Sequence, residues 1–106
     1  MNLNEYVIFV DKDLKGCVEK NLPSELRKIF DEKMKYFAKN PYHPSLNTKK
    51  LNNVSSKTLK RLGIDEVWEF YINRREYRCI FYTIHCEKRI IIAEVGNHEQ
   101  IKRKYC

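Results

Sequence analysis

A chain of 106 residues with 42% hydrophobic and 33% charged side chains has the composition of a folded globular protein rather than a disordered or fibrous one. That length is expected to form one domain over residues 1–106, with a single core and no second lobe to enclose a pocket, so any chemistry is expected on an open face or groove. Lys and Arg number 21 against 14 Asp and Glu, a formal charge of +7, which points to polyanions or an acidic protein as partners. No apolar run approaches the ~18 residues of a membrane span. The N-terminal MNLNEYVIFV lacks the basic start and small-residue cleavage site of a signal peptide. A cytoplasmic location without membrane contact is the simplest expectation.

From the N-terminus, the β-branched and aromatic run Glu5 to Val10 (EYVIFV) predicts a strand. A short helix over Leu14 to Asn21 follows, ending at Leu22-Pro23, because proline disfavours helical backbone in the residue before it. Pro23 begins a second helix. In it Leu26, Ile29, Phe30, Met34 and Phe37 recur at three- and four-residue intervals and form a core stripe. Asn40-Pro41-Tyr42-His43-Pro44 breaks that helix, and a polar loop from Ser45 to Asn53 is anchored by Leu46 and Leu51. Ser55 to Leu62 reads as a capped helix stopped by Gly63.

The second half is strand chemistry. Glu66 to Asn73 alternates Trp68, Phe70 and Ile72 against Val67, Glu69 and Tyr71, so one face packs and the other is mixed. Arg74-Arg75-Glu76 is a tight connection to a strand over Tyr77 to Ile84, and Ile90 to Val95 is another after the Cys86-Glu87-Lys88 turn. The tail EQIKRKYC is a short helix or an extended segment. The sum is an α+β fold: an N-terminal strand and a helical hairpin packed on one face of a small antiparallel sheet, with the other face open.

Charge is unevenly spread. Between Lys33 and Ile64 there is no acidic residue, while Lys33, Lys35, Lys39, Lys49, Lys50, Lys57, Lys60 and Arg61 all fall there. Arg74, Arg75 and Arg78 form a second cluster and Lys102-Arg103-Lys104 a third. Phosphate binding needs converging cations, so these groups are expected to face one groove. Cys17, Cys79, Cys86 and Cys106 contain no CxxC pair and read as reduced thiols. A zinc site from Cys79, His85 and Cys86 would need opposite faces of a strand to converge, so no metal or other cofactor is expected.

The strand-helix-helix start, the His43-Pro44 loop, the run Tyr77-Arg78-Cys79-Ile80-Phe81-Tyr82 and the closing Val95-Gly96-Asn97-His98 together resemble the RelE/ParE toxins of type II toxin–antitoxin systems. The resemblance spans nearly the whole chain. It implies a compact toxin with a basic groove, neutralised by a cognate antitoxin in a hetero-oligomer. In one branch it also implies an endoribonuclease that cleaves mRNA at the ribosome and so inhibits translation. In the other branch the same fold is a non-enzymatic poison of DNA gyrase. By the resemblance, Arg78 falls where the nucleases hold an arginine against the scissile phosphate, and His98 falls at the general-acid position after the last strand. His43 resembles a second histidine of some relatives, and Tyr105 stands near a C-terminal catalytic tyrosine. Glu69 and Tyr71 occupy positions where RelE carries paired lysines, a departure from the family pattern.

The residue chemistry agrees with the nuclease branch. RNA carries its own nucleophile, so cleavage needs a base, an acid for the leaving 5′-oxygen and cations for the phosphate. Histidine suits the acid and the arginine fork suits the phosphate. His98 and Arg78 supply these groups, the alternative for Arg78 being a plain cross-sheet pair with Glu69 or Glu94, and the base is Glu69 or His43. Lys49, Lys50, Arg74, Arg75, Tyr71 and Lys104 are the expected RNA contacts, with Tyr71 as a platform for base stacking. Trp68, on the apolar phase, is expected in the core.

Overall fold

The structure, a computed structural model, describes residues 2–74 and 76–106. Arg75, one of the expected RNA contacts, lies outside the described residues. After a 3-10 turn at Leu3–Glu5 come β1 (Val7–Val10), α1 (Leu14–Asn21) and α2 (Ser24–Lys39). A second 3-10 turn, Pro44–Leu46, leads to β2 (Lys49–Lys50), α3 (Ser56–Leu62), β3 (Glu66–Asn73) and β4 (Tyr77–Ile84). The 3-10 turn His85–Glu87 then precedes β5 (Arg89–Asn97) and α4 (His98–Tyr105).

The α+β layout is the expected one, but the sheet is mixed. Its order is β1-β5-β4-β3-β2, and β1 lies parallel to β5, with Val7 opposite Arg89 and Val10 opposite Ile92. The hairpins joining β3, β4 and β5 make those pairs antiparallel. The N-terminal strand reaches its slot beside β5 only by the long way round. β2 had no sequence signature, since two lysines carry no alternation. It exists through its partner, with Lys49 opposite Glu69 and Lys50 opposite Trp68.

α1 and α2 cover one face of the sheet, as their stripe predicts. Phe37, fully buried, stacks on Phe70 at 5.1 Å between ring centroids and meets Phe81 edge-on at 4.8 Å. Trp68 packs against this layer and donates from Nε1 to Glu66 at 3.0 Å.

The other face is not left open, contrary to the expectation. Ile64, Val67, Ile80, Ile101 and Tyr105 are buried there as a second apolar cluster, with Leu51, Val54, Leu59 and Leu62 packed against it. Ile101 and Tyr105 sit one helical turn apart, a two-residue stripe hidden within a tail that is otherwise charged or polar. α3 is held as the sequence predicts: the Ser55 side chain accepts from the Thr58 N–H, and Gly63 closes the helix at φ 69°, a backbone region that favours glycine.

α4 begins with a capping box between Asn97 and Gln100. It is fastened at its far end by the Tyr105 hydroxyl, which donates to Glu94 and accepts from Tyr82 Oη at 2.6 Å, while Lys104 pairs with Glu94 at 2.8 Å. Burial, then Glu94 and Tyr82, push the Tyr105 phenol far above its ordinary value. The stability this gives is fully present below the unfolded tyrosine value, about 10, and is lost as pH rises beyond it. Thermal melts between about pH 8 and pH 11 should therefore show an alkaline loss of stability that is reduced in Tyr105→Phe.

Candidate functional site

The register of β3 on β4 sets Tyr71 opposite Arg78 and Glu69 opposite Ile80. Alternation along each strand then turns Glu69, Tyr71, Arg78 and Ile80 toward the α3–α4 side. Glu69 and Arg78 are diagonal neighbours and form a buried ion pair. Arg78 Nη1 donates to both Glu69 oxygens, at 3.2 and 3.0 Å, and the residues are only 5% and 1% exposed. Lys49 on β2 brings its Nζ within 3.6 Å of the same carboxylate. The Arg78 guanidinium lies 4.9 Å from the centre of the Tyr71 ring, and the Lys49 ammonium 5.6 Å from it. The Lys49 pKa is raised: its hydrogen bond to Tyr71 comes first, burial opposes it, and the Tyr71 and Glu69 charges add to it.

His98 is the first residue of α4 and is exposed; its backbone N–H donates to the Glu76 carbonyl at 3.0 Å. It lines a cleft of about 260 Å³ with Glu69, Arg78, Leu51, Asn53, Ile101, Lys102 and Cys106. Three of the sequence-predicted catalytic residues, His98, Arg78 and Glu69, thus meet from three different elements. A more open hollow of about 1010 Å³ is lined by Asn47, Tyr71, Asn73, Arg74 and Glu76, and its Tyr71 ring touches the Arg78 guanidinium of the cleft. Lys102, by sequence only a member of the C-terminal basic cluster, belongs to the cleft. The available signal was its i,i+4 spacing from His98 on one helix face.

Other expected site residues lie elsewhere. His43 stacks on Tyr36 of α2 at 4.4 Å, accepts from the Ser45 N–H, and is not among the residues lining the cleft. Tyr105 is turned into the second apolar cluster, and Lys104 is spent on Glu94. Lys50 pairs with Glu66 at 3.3 Å, because adjacent strand residues point to opposite faces. The basic window is divided in the same way. Lys33 donates to the Ser45 carbonyl at 2.7 Å from α2, which covers the opposite face of the sheet from Arg78. Arg78 makes the cross-sheet pair with Glu69 that the sequence offers as its alternative, and that pair holds it inside.

Among the described residues, no group of three His, Cys, Asp or Glu side chains is arranged to hold a metal. Likewise, no helix among them is long and apolar enough to cross a membrane.

A buried carboxylate deprived of its partner costs about 3–5 kcal/mol, whereas replacing both charges by apolar groups of similar volume is often neutral or better. Chemical denaturation should accordingly find Arg78→Met strongly destabilised, and Glu69→Leu combined with Arg78→Met much closer to the parent protein. Additive losses in the double variant would mean that the pair is not the buried unit described.

No family model matches the chain, and no curated protein matches it by sequence. The similarity is structural. A chain of the archaeal RelE–RelB complex from Pyrococcus horikoshii superposes with a TM-score of 0.58 at 17% identity, over 87% of this chain and 93% of that one. The metal-bound toxin from Helicobacter pylori superposes with a TM-score of 0.53 at 12% identity, over 91% of this chain and 98% of that one. With its meander, its helical hairpin on one face and its C-terminal helix on the other, the chain has a RelE-like fold.

Proposed function

We propose that the chain is the toxin of a toxin–antitoxin pair and a metal-independent endoribonuclease that cleaves mRNA at the ribosome, with the His98–Arg78–Glu69 cleft as its active site. The observation that carries this reading is the convergence of an exposed histidine, a fixed guanidinium and the Lys102 ammonium on one cleft, with Lys49 reaching within 3.6 Å of the cleft carboxylate of Glu69. In the reaction the 2′-oxygen attacks phosphorus and the P–O5′ bond breaks, leaving a 2′,3′-cyclic phosphate and a 5′-hydroxyl. His98 delivers the proton to the departing 5′-oxygen. Arg78, Lys49 and Lys102 stabilise the charge that develops on the phosphate, and Tyr71 offers its ring to a base.

Of the two candidate bases, Glu69 lines the cleft and His43 does not. Both Glu69 oxygens accept from Arg78 and the side chain is almost fully buried, so the carboxylate must be uncovered before one of its remaining lone pairs takes the 2′ proton. Its first role is to hold the guanidinium, which leaves general acid and charge stabilisation as the larger contributions.

The similarity to the RelE–RelB complex supports a cognate antitoxin as partner, an acidic segment over the cleft matching the +7 charge. One observation favours the second reading, a non-enzymatic toxin that poisons DNA gyrase: Glu69 neutralises Arg78 within the protein and so weakens the site for phosphate.

His98→Ala separates the two. The side chain is exposed, so the fold should be unaffected. Loss of a general acid costs ~10²–10⁴ in rate, and RNA affinity should stay nearly constant because the interaction acts mainly in the transition state. If His98→Ala keeps full toxicity and cells show DNA damage rather than broken mRNA, the gyrase reading replaces this one.

A further inference from the structure

β1 is an edge strand without the usual protection. Edge strands are normally blunted by charges, proline or a bulge. Val7-Ile8-Phe9-Val10 has none of these, and Val7, Phe9 and Val10 are 60%, 44% and 57% exposed. The backbone is equally available. Val7 and Asp11 donate their N–H groups to Lys88 and Ile92 beside β5, and by alternation Phe9 points the same way. Ile8 and Val10 therefore direct both N–H and C=O outward, away from the sheet.

That pattern is self-complementary. We propose that the chain pairs with a second copy of itself through β1, antiparallel about a two-fold axis at Phe9, joining two five-stranded sheets into one of ten. In this register Ile8 of each copy exchanges two hydrogen bonds with Val10 of the other, satisfying the outward groups of both edges. Phe9 faces Phe9 as the closely spaced non-hydrogen-bonded pair, an aromatic contact that covers ring surface now in water. On the opposite face Val10 covers Ile8 of the second copy.

Charge fits as well. Arg89 lies over Phe9 at 4.6 Å from the ring centre, and the register sets Asp11 of the second copy opposite Val7, the β1 neighbour of Arg89. Each copy thus presents a guanidinium toward a carboxylate of the other despite its net positive charge. The contact is isologous and closes on itself, so it yields a dimer and not a fibre.

The test uses the full chain. Light scattering on the purified protein should give twice the 12.9 kDa chain mass, and Val10→Lys should return it to the single-chain mass with an unchanged far-ultraviolet circular dichroism spectrum. Register is read separately in a background carrying Cys86→Ser and Cys106→Ser. There Phe9→Cys should cross-link under mild oxidation, because the facing Cβ atoms lie about 5 Å apart, and Val7→Cys should not. A single-chain mass at every concentration overturns the proposal, as does a dimer that survives Val10→Lys or cross-links through Val7→Cys instead.

Discussion

A carboxylate and a guanidinium enclosed between a sheet and a helix layer constrain everything around them. Removing Glu69 and Arg78 from water costs several kcal/mol per ion, and only close, multiple hydrogen bonds offset that cost. The structure supplies them: one arginine nitrogen bonds both carboxylate oxygens, and the Lys49 ammonium approaches the same group from β2. The pair also explains why two lysines form a strand at all, since Lys49 is drawn to the register opposite Glu69. A guanidinium fixed in this way cannot swing into solvent, and what it presents to the cleft is predetermined.

The same face of the sheet carries α4, and the position of His98 follows from the packing of that helix. Ile101 and Tyr105 make one stripe, against Ile80, Tyr82 and Glu94, while His98 and Lys102 make the next stripe over and border the cleft. The capping box at Asn97 fixes where the helix starts, and the Tyr105 hydroxyl fixes how far down it is held. A residue that resembles a catalytic tyrosine therefore serves here as an anchor, and the histidine at the other end of the helix gains a defined place.

Much of this was legible in the sequence. The strands Glu66–Asn73 and Tyr77–Ile84 and the helix Leu14–Asn21 emerge with the predicted bounds, because alternation, the helical stripe and Pro23 are local signals. Ser55 and Gly63 likewise bracket α3 as capping chemistry requires. What was not legible depended on partners. β2 is defined only by β3, the parallel placement of β1 only by β5, and the covered second face only by two apolar residues within a basic tail. The site divided along the same line. His98, Arg78 and Glu69 converge, but the inference of one basic groove failed where lysines on α2 and at Lys50 were turned to the opposite side. Sequence clustering carries no information about which face of a sheet a residue occupies unless the strand phase is known.

The proposed reaction breaks an RNA backbone in this cleft by using the 2′-hydroxyl of the RNA as nucleophile. The most direct measurement is the chemistry of the ends produced when the purified wild-type chain is incubated with translating ribosomes and a labelled mRNA. That reaction yields upstream fragments ending in a 2′,3′-cyclic phosphate and downstream fragments with a 5′-hydroxyl. Intact mRNA, or fragments carrying a 5′-phosphate, would contradict it.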